Sequence, residues 1–457
     1  MLGRFGKTVH IIGIGGARLS ALARILHSKG FQITGSDASE SRFTAAVRSL
    51  GITVYTGHEG NHVEKADWVI YTTAVGENNP ELVKARSLNL PVLEGSELLG
   101  MLMGDAETGV AIAGTHGKTT TTGMTSLALL GAGADPTIVI GGDYDPIGGN
   151  ARVGGNKVFL AEACEFREAF LRLKPSIGVI TNIDWDHPDC FPTLESVADT
   201  FRKFAALLPP DGTLIVCGDD PLAAAISEET ACQTLKYGFD ESNELIASEL
   251  HAREPLGQTY QLSVEGRDLG TVTLAVPGCH NALNSLGSLA VCHALGLDLA
   301  KPIAALASFR GVHRRFEIKG QVAGITIVDD YAHHPSAVRL TLATAKEHFR
   351  GRIWCVFQPH LYSRTKYLFS ELTNAFGDAD HVVFTDIYAA RETDPGDVSS
   401  AILAQETAKH HPAVHYFGGL QETAAQLAPL LKSGDLVITM GAGDITNLGG
   451  KLLVSMT

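Results

Sequence analysis

The sequence lacks any C-x-x-C pair and any unbroken apolar run long enough to span a bilayer. Its seven cysteines are an odd number and lie scattered along the 457 residues, which is typical of reduced, mostly buried thiols and not of a disulfide framework. The apolar segment after Lys7 is dense in glycine and leads into His27 and Lys29, so it predicts a strand and a turn instead of a signal peptide. We therefore expect a cytoplasmic protein without a membrane partner.

Basic side chains are scarce relative to acidic ones. The chain has 36 Lys and Arg residues against 50 Asp and Glu residues, which leaves a net charge of −14. A surface of this sign repels a phosphodiester backbone, so the balance argues against nucleic acid as a partner, although a local loop can still bind a small anion. Hydrophobic residues at 45% and charged residues at 19% are typical of a folded protein. The length predicts roughly two to four domains.

A phosphate-binding loop is the most specific motif present. It runs from Gly114 to Thr120 with the sequence GTHGKTT and follows an apolar, strand-like run from Gly109 to Ala113. Closely spaced glycines let consecutive backbone N–H groups face an anion, while Lys118 reaches the outer phosphates and Thr119 holds magnesium. A full P-loop has glycine where Ile112 stands, so the match is to a shorter form. The loop predicts a nucleoside triphosphate, and a chance Gly-Lys-Thr at a helix start is the less favoured alternative.

The N-terminal segment outlines a Rossmann-type βαβ unit. A strand-like run from Val9 to Ile12 leads into Gly13-Ile14-Gly15-Gly16, and a second such run ends at Gly35-Ser36-Asp37. The dinucleotide fingerprint has a third glycine where this chain has Arg18, which either caps the loop or contacts ligand phosphates. Asp37 falls near the position of a ribose-binding acid. A nicotinamide-dependent oxidoreductase is therefore a competing hypothesis, and the missing glycine and the separate triphosphate loop count against it.

Acidic and imidazole side chains follow two strand-like runs in the middle of the chain. Glu162 and Glu165 come after the run at 158–161, and Asn182, Asp184, Asp186 and His187 come after the run at 177–181. This donor set suits magnesium or manganese better than zinc, because no thiolate cluster accompanies the histidine. We favour Glu162 and His187 as ligands, and we interpret Asp184 or Asp186 alone as a solvated loop residue.

Two later clusters also combine polar groups. Asn281 and Asn284 have helical spacing and could face an adenine edge, while capping of the helix by Asn281 is the alternative. The segment Arg314-Arg315-Phe316-Glu317 precedes Asp329-Asp330-Tyr331-Ala332-His333-His334, which could supply ribose contacts, a base or simply a loop. Strands alternate with helical patterns in three successive segments, so we predict an α/β fold with a mainly parallel sheet in each segment, and a more polar, β-rich insertion at 248–276.

Together these clusters resemble the Mur ligase family, the ATP-dependent amide-forming enzymes of peptidoglycan synthesis. The resemblance covers nearly the whole chain. It rests on these motifs, in order: Gly13-Ile14-Gly15-Gly16, Gly114 to Thr122, Glu162-Ala163-Cys164-Glu165, Asn182-Ile183-Asp184 with Asp186-His187, His280-Asn281 with Asn284, Arg314-Arg315-Phe316-Glu317, Asp329-Asp330-Tyr331 with His333-His334-Pro335, Phe357-Gln358-Pro359-His360, Ser363-Arg364-Thr365 and Gly441-Ala442-Gly443-Asp444-Ile445.

The resemblance implies three domains. A Rossmann-like domain at 1–104 would bind the UDP substrate, a P-loop ATPase domain at 105–312 would bind ATP, and a Rossmann-like domain at 313–457 would bind the amino acid. The implied reaction joins L-alanine to the lactyl carboxylate of UDP-N-acetylmuramate through an acyl phosphate and releases ADP and phosphate. Attachment of a recycled tripeptide is the nearest alternative, and the ending at 441–444 favours the single amino acid. A silent nucleotide-binding regulator is a third hypothesis, disfavoured by the retained Lys118, Glu162, His187 and Asp330.

The resemblance also assigns roles to individual residues. Catalytic roles are implied for Lys118, Glu162, His187, Arg315, Asp330 and His334. Contacts with ATP are implied for Gly114, Thr115, His116, Gly117, Lys118, Thr119, Thr120, Asn281, Asn284, Arg315 and Asp330. Contacts with the UDP substrate are implied for Gly15, Gly16, Arg18, Ser36, Asp37, Thr72 and Thr73. Ligation of Mg²⁺, or Mn²⁺ in its place, is implied for Thr119, Glu162 and His187.

Two further groups of residues are candidates by position. Tyr331, His333, His360 and Arg364 either measure the incoming amino acid or make structural contacts within the last domain. Lys203 falls near the position where several relatives carry a carbamylated lysine that holds magnesium, and we assign no modification to it.

Overall fold

Three α/β units make up the protein, each with its own sheet. The computed structural model describes residues 2–254, 256–390 and 392–456. Strands and helices alternate in every unit, which confirms the predicted α/β class with three mainly parallel sheets. The boundaries expected after residues 104 and 312 stay predictions.

The first unit is a five-stranded, wholly parallel sheet flanked by helices. Its elements are β1 Thr8–Ile12, α1 Ala17–Ser28, β2 Gln32–Asp37, α2 Arg42–Arg48, β3 Thr53–Thr56, β4 Trp68–Tyr71, α3 Pro80–Ser87, β5 Val92–Glu94 and α4 Gly95–Gly104, with short 3-10 helices at Leu2–Phe5 and Gly60–Val63. The strand order is β3-β2-β1-β4-β5. Because the order reverses between β1 and β4, the loop after β1 opens at the crevice where such sheets bind ligands.

The second unit is a ten-stranded sheet that carries the phosphate loop. Its elements are β6 Thr108–Ala113, α5 Lys118–Gly131, β7 Thr137–Tyr144, β8 Gly149–Arg152, β9 Val158–Glu162, β10 Ile177–Ile180, α6 Leu194–Ala205, β11 Thr213–Cys217, α7 Pro221–Glu229, β12 Gln233–Gly238, β13 Leu245–Ala252, β14 Gln258–Val264, β15 Arg267–Leu274, α8 Cys279–Ala294 and α9 Ala300–Leu306, with 3-10 helices at Asp145–Ile147 and Phe166–Arg172. The strand order is β15-β14-β13-β12-β11-β10-β6-β9-β7-β8. The predicted β-rich insertion forms the antiparallel strands β13 to β15 at one end of this sheet.

The third unit is a six-stranded sheet with one antiparallel edge. Its elements are β16 Glu317–Val322, β17 Ile325–Asp330, α10 Pro335–His348, β18 Ile353–Phe357, α11 Tyr362–Tyr367, α12 Phe369–Thr373, β19 His381–Phe384, α13 Ser400–Thr407, β20 Val414–Tyr416, α14 Leu420–Leu427, β21 Leu436–Met440 and α15 Thr446–Ser455, with a 3-10 helix at Ala428–Leu430. The order is β16-β17-β21-β18-β19-β20. Strands β17, β18 and β21 are buried along their whole length, so the centre of this sheet is covered on both faces.

The three units pack directly against one another. The first contacts the second where Arg24 Nη2 donates to the Gly148 carbonyl at 2.9 Å and Asn150 Nδ2 donates to Ser20 Oγ at 2.7 Å. The third closes over the second, because Ser336 Oγ donates to an Asp184 carboxylate oxygen at 2.8 Å. The carboxyl ends of β6, β9 and β10 therefore face the start of α10.

Two expectations from composition concern membranes and thiols. Within the described ranges, none of the helices is both long enough and apolar enough to cross a membrane. The cytoplasmic location expected from the sequence stays a prediction. All seven cysteines lie within the described residues as free thiols, as expected. Only three of them, Cys217, Cys292 and Cys355, are buried and Cys279 is exposed, so the expectation of mostly buried thiols is wrong.

Candidate active site

The phosphate loop has the backbone geometry that its glycines predict. It connects the end of β6 to the start of α5 at Lys118, with φ values of 133° at Gly114 and 82° at Gly117. Only glycine adopts these conformations readily, and a Cβ on Gly117 would also collide with Asn284 Oδ1. The loop is tied to the next strand end, because the His116 amide donates to Asn182 Oδ1 at 2.9 Å. The positive end of α5 thus faces the open side of the loop.

Lys118 is held by its own loop and by Glu165. Its Nζ donates to the carbonyl oxygens of Gly114 at 2.5 Å and Thr115 at 3.0 Å, and it lies 2.9 Å from Glu165 Oε2. Burial lowers the pKa of Lys118, but the charge and hydrogen bond of Glu165, together with the charges of Cys164 and Glu162, outweigh burial, and the pKa lies above its ordinary value. The lysine is therefore a fixed cation at the loop.

Thr119 and Glu162 meet as predicted. Thr119 Oγ1 donates to Glu162 Oε1 at 3.0 Å, and the other carboxylate oxygen accepts the Gly141 amide at 2.7 Å. Arg315, which lies just before β16, approaches Thr119 Oγ1 to 3.4 Å with its Nη2. A hydroxyl, a carboxylate and a guanidinium thus meet beside the phosphate loop, a combination suited to a cation and to phosphate oxygens.

His187 lies beside Glu165, which also pairs with Lys118. Its Nε2 is 3.7 Å from Glu165 Oε1, and burial lowers its pKa, so the ring is neutral and its nitrogen can bind a cation.

The interpretation of Asp186 as a solvated loop residue is wrong. Asp186 is 6% exposed and binds Arg364 from α11 at 3.1 Å. Burial raises the pKa of Asp186, but the charge of Arg364 and the neighbouring imidazoles together outweigh burial and hold the pKa well below its ordinary value.

The two asparagines of α8 form a pair in the same cavity. Asn284 Nδ2 donates to Asn281 Oδ1 at 3.2 Å, and Asn281 Nδ2 donates to the Pro277 carbonyl at 2.7 Å. The N-cap of α8 is Gly278, so the alternative in which Asn281 caps the helix is wrong. Thr121 Oγ1 donates to Asn284 Oδ1 at 3.1 Å and thereby joins the asparagines to the helix of the phosphate loop.

Asp330 organises the turn that carries Arg315. Its two carboxylate oxygens accept the backbone amides of Phe316 and Ala332, each at 2.7 Å. Burial raises its pKa. His334, the N-cap of α10, donates from Nε2 to the Trp185 carbonyl at 3.0 Å and so reaches across to the second unit.

The amino-acid candidates converge on the same space. Arg364 Nη1 lies 3.0 Å from His360 Nδ1, and the rings of His333 and His360 are 6.1 Å apart. The ring of Tyr331 meets that of His333 edge to face, with their centroids 5.3 Å apart. The four residues therefore form one wall of the last unit, and their role in measuring the amino acid stays a prediction.

One cavity of about 770 Å³ joins these groups. It is lined by Lys118, Glu162, Glu165, His187, Asn281, Asn284, Arg315, Asp330, Tyr331, His333, His334, His360 and Arg364. Since the second and third units both contribute, the cavity is complete only when they are closed. A volume of this size fits a nucleotide-sized ligand.

The predicted residues of the first unit lie outside that cavity. Asp37 Oδ2 accepts the Gly15 amide at 2.8 Å and so shapes the loop after β1. Ser36 is buried and donates to Glu81 Oε2 at 2.6 Å, away from the loop opening. Burial and the charge of Glu165 raise the pKa of Cys164, and the charges of Lys118 and Arg18 lower it in part.

The remaining first-unit candidates lie after β4. The Thr72 hydroxyl accepts a hydrogen bond from the Ala74 amide at 3.3 Å, and the Thr73 carbonyl accepts one from Arg167 Nη1 at 3.0 Å. Exposed Gly16 starts α1 as its N-cap. These positions border the junction between the first and second units.

Comparison with known proteins agrees with this arrangement. Three family models match successive parts of the chain: the Mur ligase family catalytic domain over 8–107, the Mur ligase middle domain over 112–292, and the Mur ligase glutamate ligase domain over 314–443. A protein of Alkaliphilus metalliredigens named UDP-N-acetylmuramate–L-alanine ligase is 42% identical over 98% of this chain and 97% of its own length. One of the same name from Acetivibrio thermocellus is 43% identical over 98% and 96%.

The chain belongs to the Mur ligase family. This confirms the resemblance that the motifs indicated. Among solved structures, the UDP-N-acetylmuramate-alanine ligase of Thermotoga maritima superposes on this Mur ligase with a TM-score of 0.84, at 29% identity and 98% coverage of both chains. A murein peptide ligase of Psychrobacter arcticus shares the fold at a TM-score of 0.74 and 22% identity.

Two ion pairs of this Mur ligase are not indicated by its sequence. Glu165 stands among the strand-end acids in the sequence, but its contact with Lys118 joins residues 47 apart, and no local spacing indicates it. The Asp186–Arg364 pair spans 178 residues, so no local pattern reports it. Lys203, in turn, is 58% exposed and pairs with Glu168 on the outside of the second unit.

Proposed function

We propose that this protein uses ATP to join L-alanine to the lactyl carboxylate of UDP-N-acetylmuramate, and thereby makes a peptidoglycan precursor. The supporting observation is a single closed cavity in which the phosphate loop of the second unit meets Arg315 and Arg364 of the third. The relatives that match nearly the whole chain carry the name of this activity. The units would serve as a UDP-substrate domain at 1–104, an ATP domain at 105–312 and an amino-acid domain at 313–457.

The chemistry needs an activated carboxylate. An amine does not attack a carboxylate anion, because the anion repels nucleophiles and oxide is a poor leaving group. Transfer of the γ-phosphoryl group to the lactyl carboxylate creates an acyl phosphate, from which phosphate leaves after the L-alanine amine has attacked. The closed units keep water away from this reactive compound.

Lys118 and Arg315 would stabilise charge on the moving phosphoryl group. Lys118 is a buried cation whose present partners are two loop carbonyl groups and Glu165. Arg315 brings a second cation from the turn before β16, 3.4 Å from Thr119 Oγ1. Two cations contributed by different units suit a transition state in which charge spreads over the phosphoryl oxygens.

The donor set fits magnesium. Thr119 and Glu162 would hold one Mg²⁺ ion, since their oxygens already lie 3.0 Å apart, and His187 would contribute a neutral nitrogen for a second ion, with Mn²⁺ able to replace either. A metal ion held there would neutralise negative charge on the phosphate groups. Asn281 and Asn284 would face the adenine edge with amide groups, and Asp330 would hold the turn that presents Arg315.

The amino acid would bind between the Arg364 guanidinium and the three rings of the same wall. The guanidinium of Arg364 matches the carboxylate of L-alanine, while Tyr331, His333 and His360 limit the space for the side chain. On the opposite side, the loop at Gly15 and Gly16 with Arg18 would bind the UDP diphosphate. Asp37, Ser36, Thr72 and Thr73 complete the proposed UDP-substrate contacts, with Ser36 acting from its buried position.

The test is phosphate release from ATP and Mg²⁺ with UDP-N-acetylmuramate, with L-alanine, glycine, L-serine or the tripeptide added in turn. We expect L-alanine to give the fastest release. Fastest release with the tripeptide would establish the sister activity instead, and no amine-dependent release with any acceptor would end the ligase proposal.

The phosphate loop is tested by Lys118→Ala, with Lys203→Ala as the matched control. We expect Lys118→Ala to lower kcat at least ~100-fold, because one group that stabilises transition-state charge is removed. Lys203→Ala should retain wild-type turnover, since Lys203 lies on an exposed surface. Equal turnover in the two variants would show that the loop is misassigned.

A further inference from the structure

A cluster of two imidazoles and a carboxylate lies at the closure between the second and third units. His116 Nε2 is 3.3 Å from Asp184 Oδ2, and His334 Nδ1 is 3.7 Å from the same oxygen. Within the described part of the chain this is the one group of three whose ligand atoms all lie within 4.8 Å of one another. We propose that these three side chains form a binding site for a transition-metal dication, with Zn²⁺ as the best fit, separate from the oxygen-rich magnesium site at Thr119 and Glu162.

The protonation states suit a metal. Burial raises the pKa of Asp184, but its hydrogen bonds and the neighbouring imidazoles together outweigh burial and hold the pKa of the carboxyl well below its ordinary value. Burial lowers the pKa of His334, which keeps that imidazole neutral. The site therefore presents an anionic oxygen and a neutral ring nitrogen, the forms that bind metals.

The orientation of His334 resembles that of a metal ligand. Its Nε2 donates to the Trp185 carbonyl at 3.0 Å, which fixes the tautomer whose Nδ1 lone pair accepts the Ser336 amide at 3.3 Å and lies 3.7 Å from Asp184 Oδ2, so a metal bound there would displace that amide. Ligating histidines usually donate their second nitrogen to a carbonyl or carboxylate in this way. The hydroxyl of Ser336 supports Asp184 from the other side at 2.8 Å.

The donor types separate this site from the magnesium site. Two imidazole nitrogens and one carboxylate oxygen form a set that zinc takes with a fourth position left open, whereas Mg²⁺ prefers oxygen ligands and retained water. Divalent copper and nickel also bind such nitrogen-rich sets. The site therefore discriminates against magnesium but not between zinc, copper and nickel.

The position of the site couples the metal to domain closure. His116 belongs to the phosphate loop and Asp184 to the loop after β10, while His334 comes from the third unit. A metal held by all three binds the closed form better than the open form, and by linkage it shifts the protein towards closure. We expect Zn²⁺ to slow turnover in excess Mg²⁺, because the units must reopen to exchange ligands. The site itself is independent of which reaction the protein catalyses.

The test measures metal binding to the full-length protein without substrates. Zn²⁺ and Co²⁺ are titrated in excess Mg²⁺ by equilibrium dialysis and visible absorption, with wild type, His334→Gln, Asp184→Asn and the control His293→Gln. His293 lies on α8, partly exposed beside Glu265 and outside the cluster. We expect His334→Gln and Asp184→Asn each to weaken binding at least ~10-fold while His293→Gln does not.

Two outcomes would overturn the site. Equal affinity in all four proteins would place the metal elsewhere, as would a cobalt spectrum with a thiolate charge-transfer band, since seven free cysteines are present. Because His334 also caps α10, the folding of His334→Gln is checked by circular dichroism, and His116→Gln replaces it if the helix is lost. Small-angle X-ray scattering should show Zn²⁺ reducing the radius of gyration of wild type and His293→Gln but not of His334→Gln or Asp184→Asn, and an unchanged wild-type radius would refute the link to closure.

Discussion

Replacement of Glu165 by glutamine should damage the site through Lys118. Glu165 is 2% exposed, and its carboxylate oxygens lie 2.9 and 3.1 Å from Lys118 Nζ. The substitution keeps the size of the side chain and removes its charge. Lys118 then loses the group that places it and sustains its charge in a buried position.

The size of the effect follows from the type of contact. A hydrogen bond to a charged group contributes about 1.5–3 kcal/mol. If the correct placement of Lys118 in the transition state depends on that bond, kcat falls roughly 10- to 150-fold, since about 1.4 kcal/mol corresponds to a factor of ten.

The pH dependence has a definite sign. In wild type burial lowers the pKa of Lys118, but Glu165 and the other nearby acidic groups together outweigh burial and raise the pKa above 10.5, so the stability from this pair is present below that pH and is lost as pH rises through the raised value. Without Glu165 burial dominates and the pKa of Lys118 falls. The alkaline limb of the kcat/KM profile should therefore move to lower pH in Glu165→Gln.

Glu168→Gln is the matched control for this assay. Glu168 lies three residues further on and pairs with Lys203, but 43% of the Glu168 side chain and 58% of the Lys203 side chain are exposed. Exposed pairs contribute little, so this variant should keep the wild-type rate and profile. If Glu165→Gln changes kcat and the alkaline limb no more than Glu168→Gln does, the coupling of Glu165 to Lys118 is refuted.

Two other pairs across unit boundaries yield predictions. Asp186→Asn leaves Arg364 buried without a counter-charge, which should make closure about 3–5 kcal/mol less favourable and enlarge the radius of gyration in small-angle scattering; an unchanged radius would contradict it. His313 lies 3.0 Å from Asp145 and 2.9 Å from Glu317; burial lowers its pKa, but these hydrogen bonds outweigh it and raise the pKa. The unfolding midpoint of wild type, measured calorimetrically, should lie above that of His313→Gln by a larger margin at about pH 6 than at about pH 8. A group with a raised pKa adds stability below its unfolded pKa, and this stability is lost as the pH rises through the raised value.

The parts of the site that were predictable depend on neighbours in sequence. The loop at Gly114 and Gly117 was recognised because its glycines, the strand before it and the helix after it are consecutive. Thr119 and Glu162 were both named, and they meet because β6 and β9 are adjacent parallel strands whose carboxyl ends lie together.

The interpretation of Asp186 failed for a physical reason. An acid after a strand is solvated unless another element covers it, and the covering element here is α11 of the third unit. The same applies to Asn281, whose capping role was excluded only by the backbone of Gly278 and by its contact with the Pro277 carbonyl.

Local sequence patterns were enough to specify the α/β class, the phosphate loop and the family, because backbone dihedrals, strand periodicity and short motifs are local properties. The charges of the site were set by the three-dimensional fold. It paired Lys118 with Glu165 and Asp186 with Arg364, and it brought His334 to Asp184. Electrostatic energy depends on distance in space and on burial, and the packing of separate units sets both.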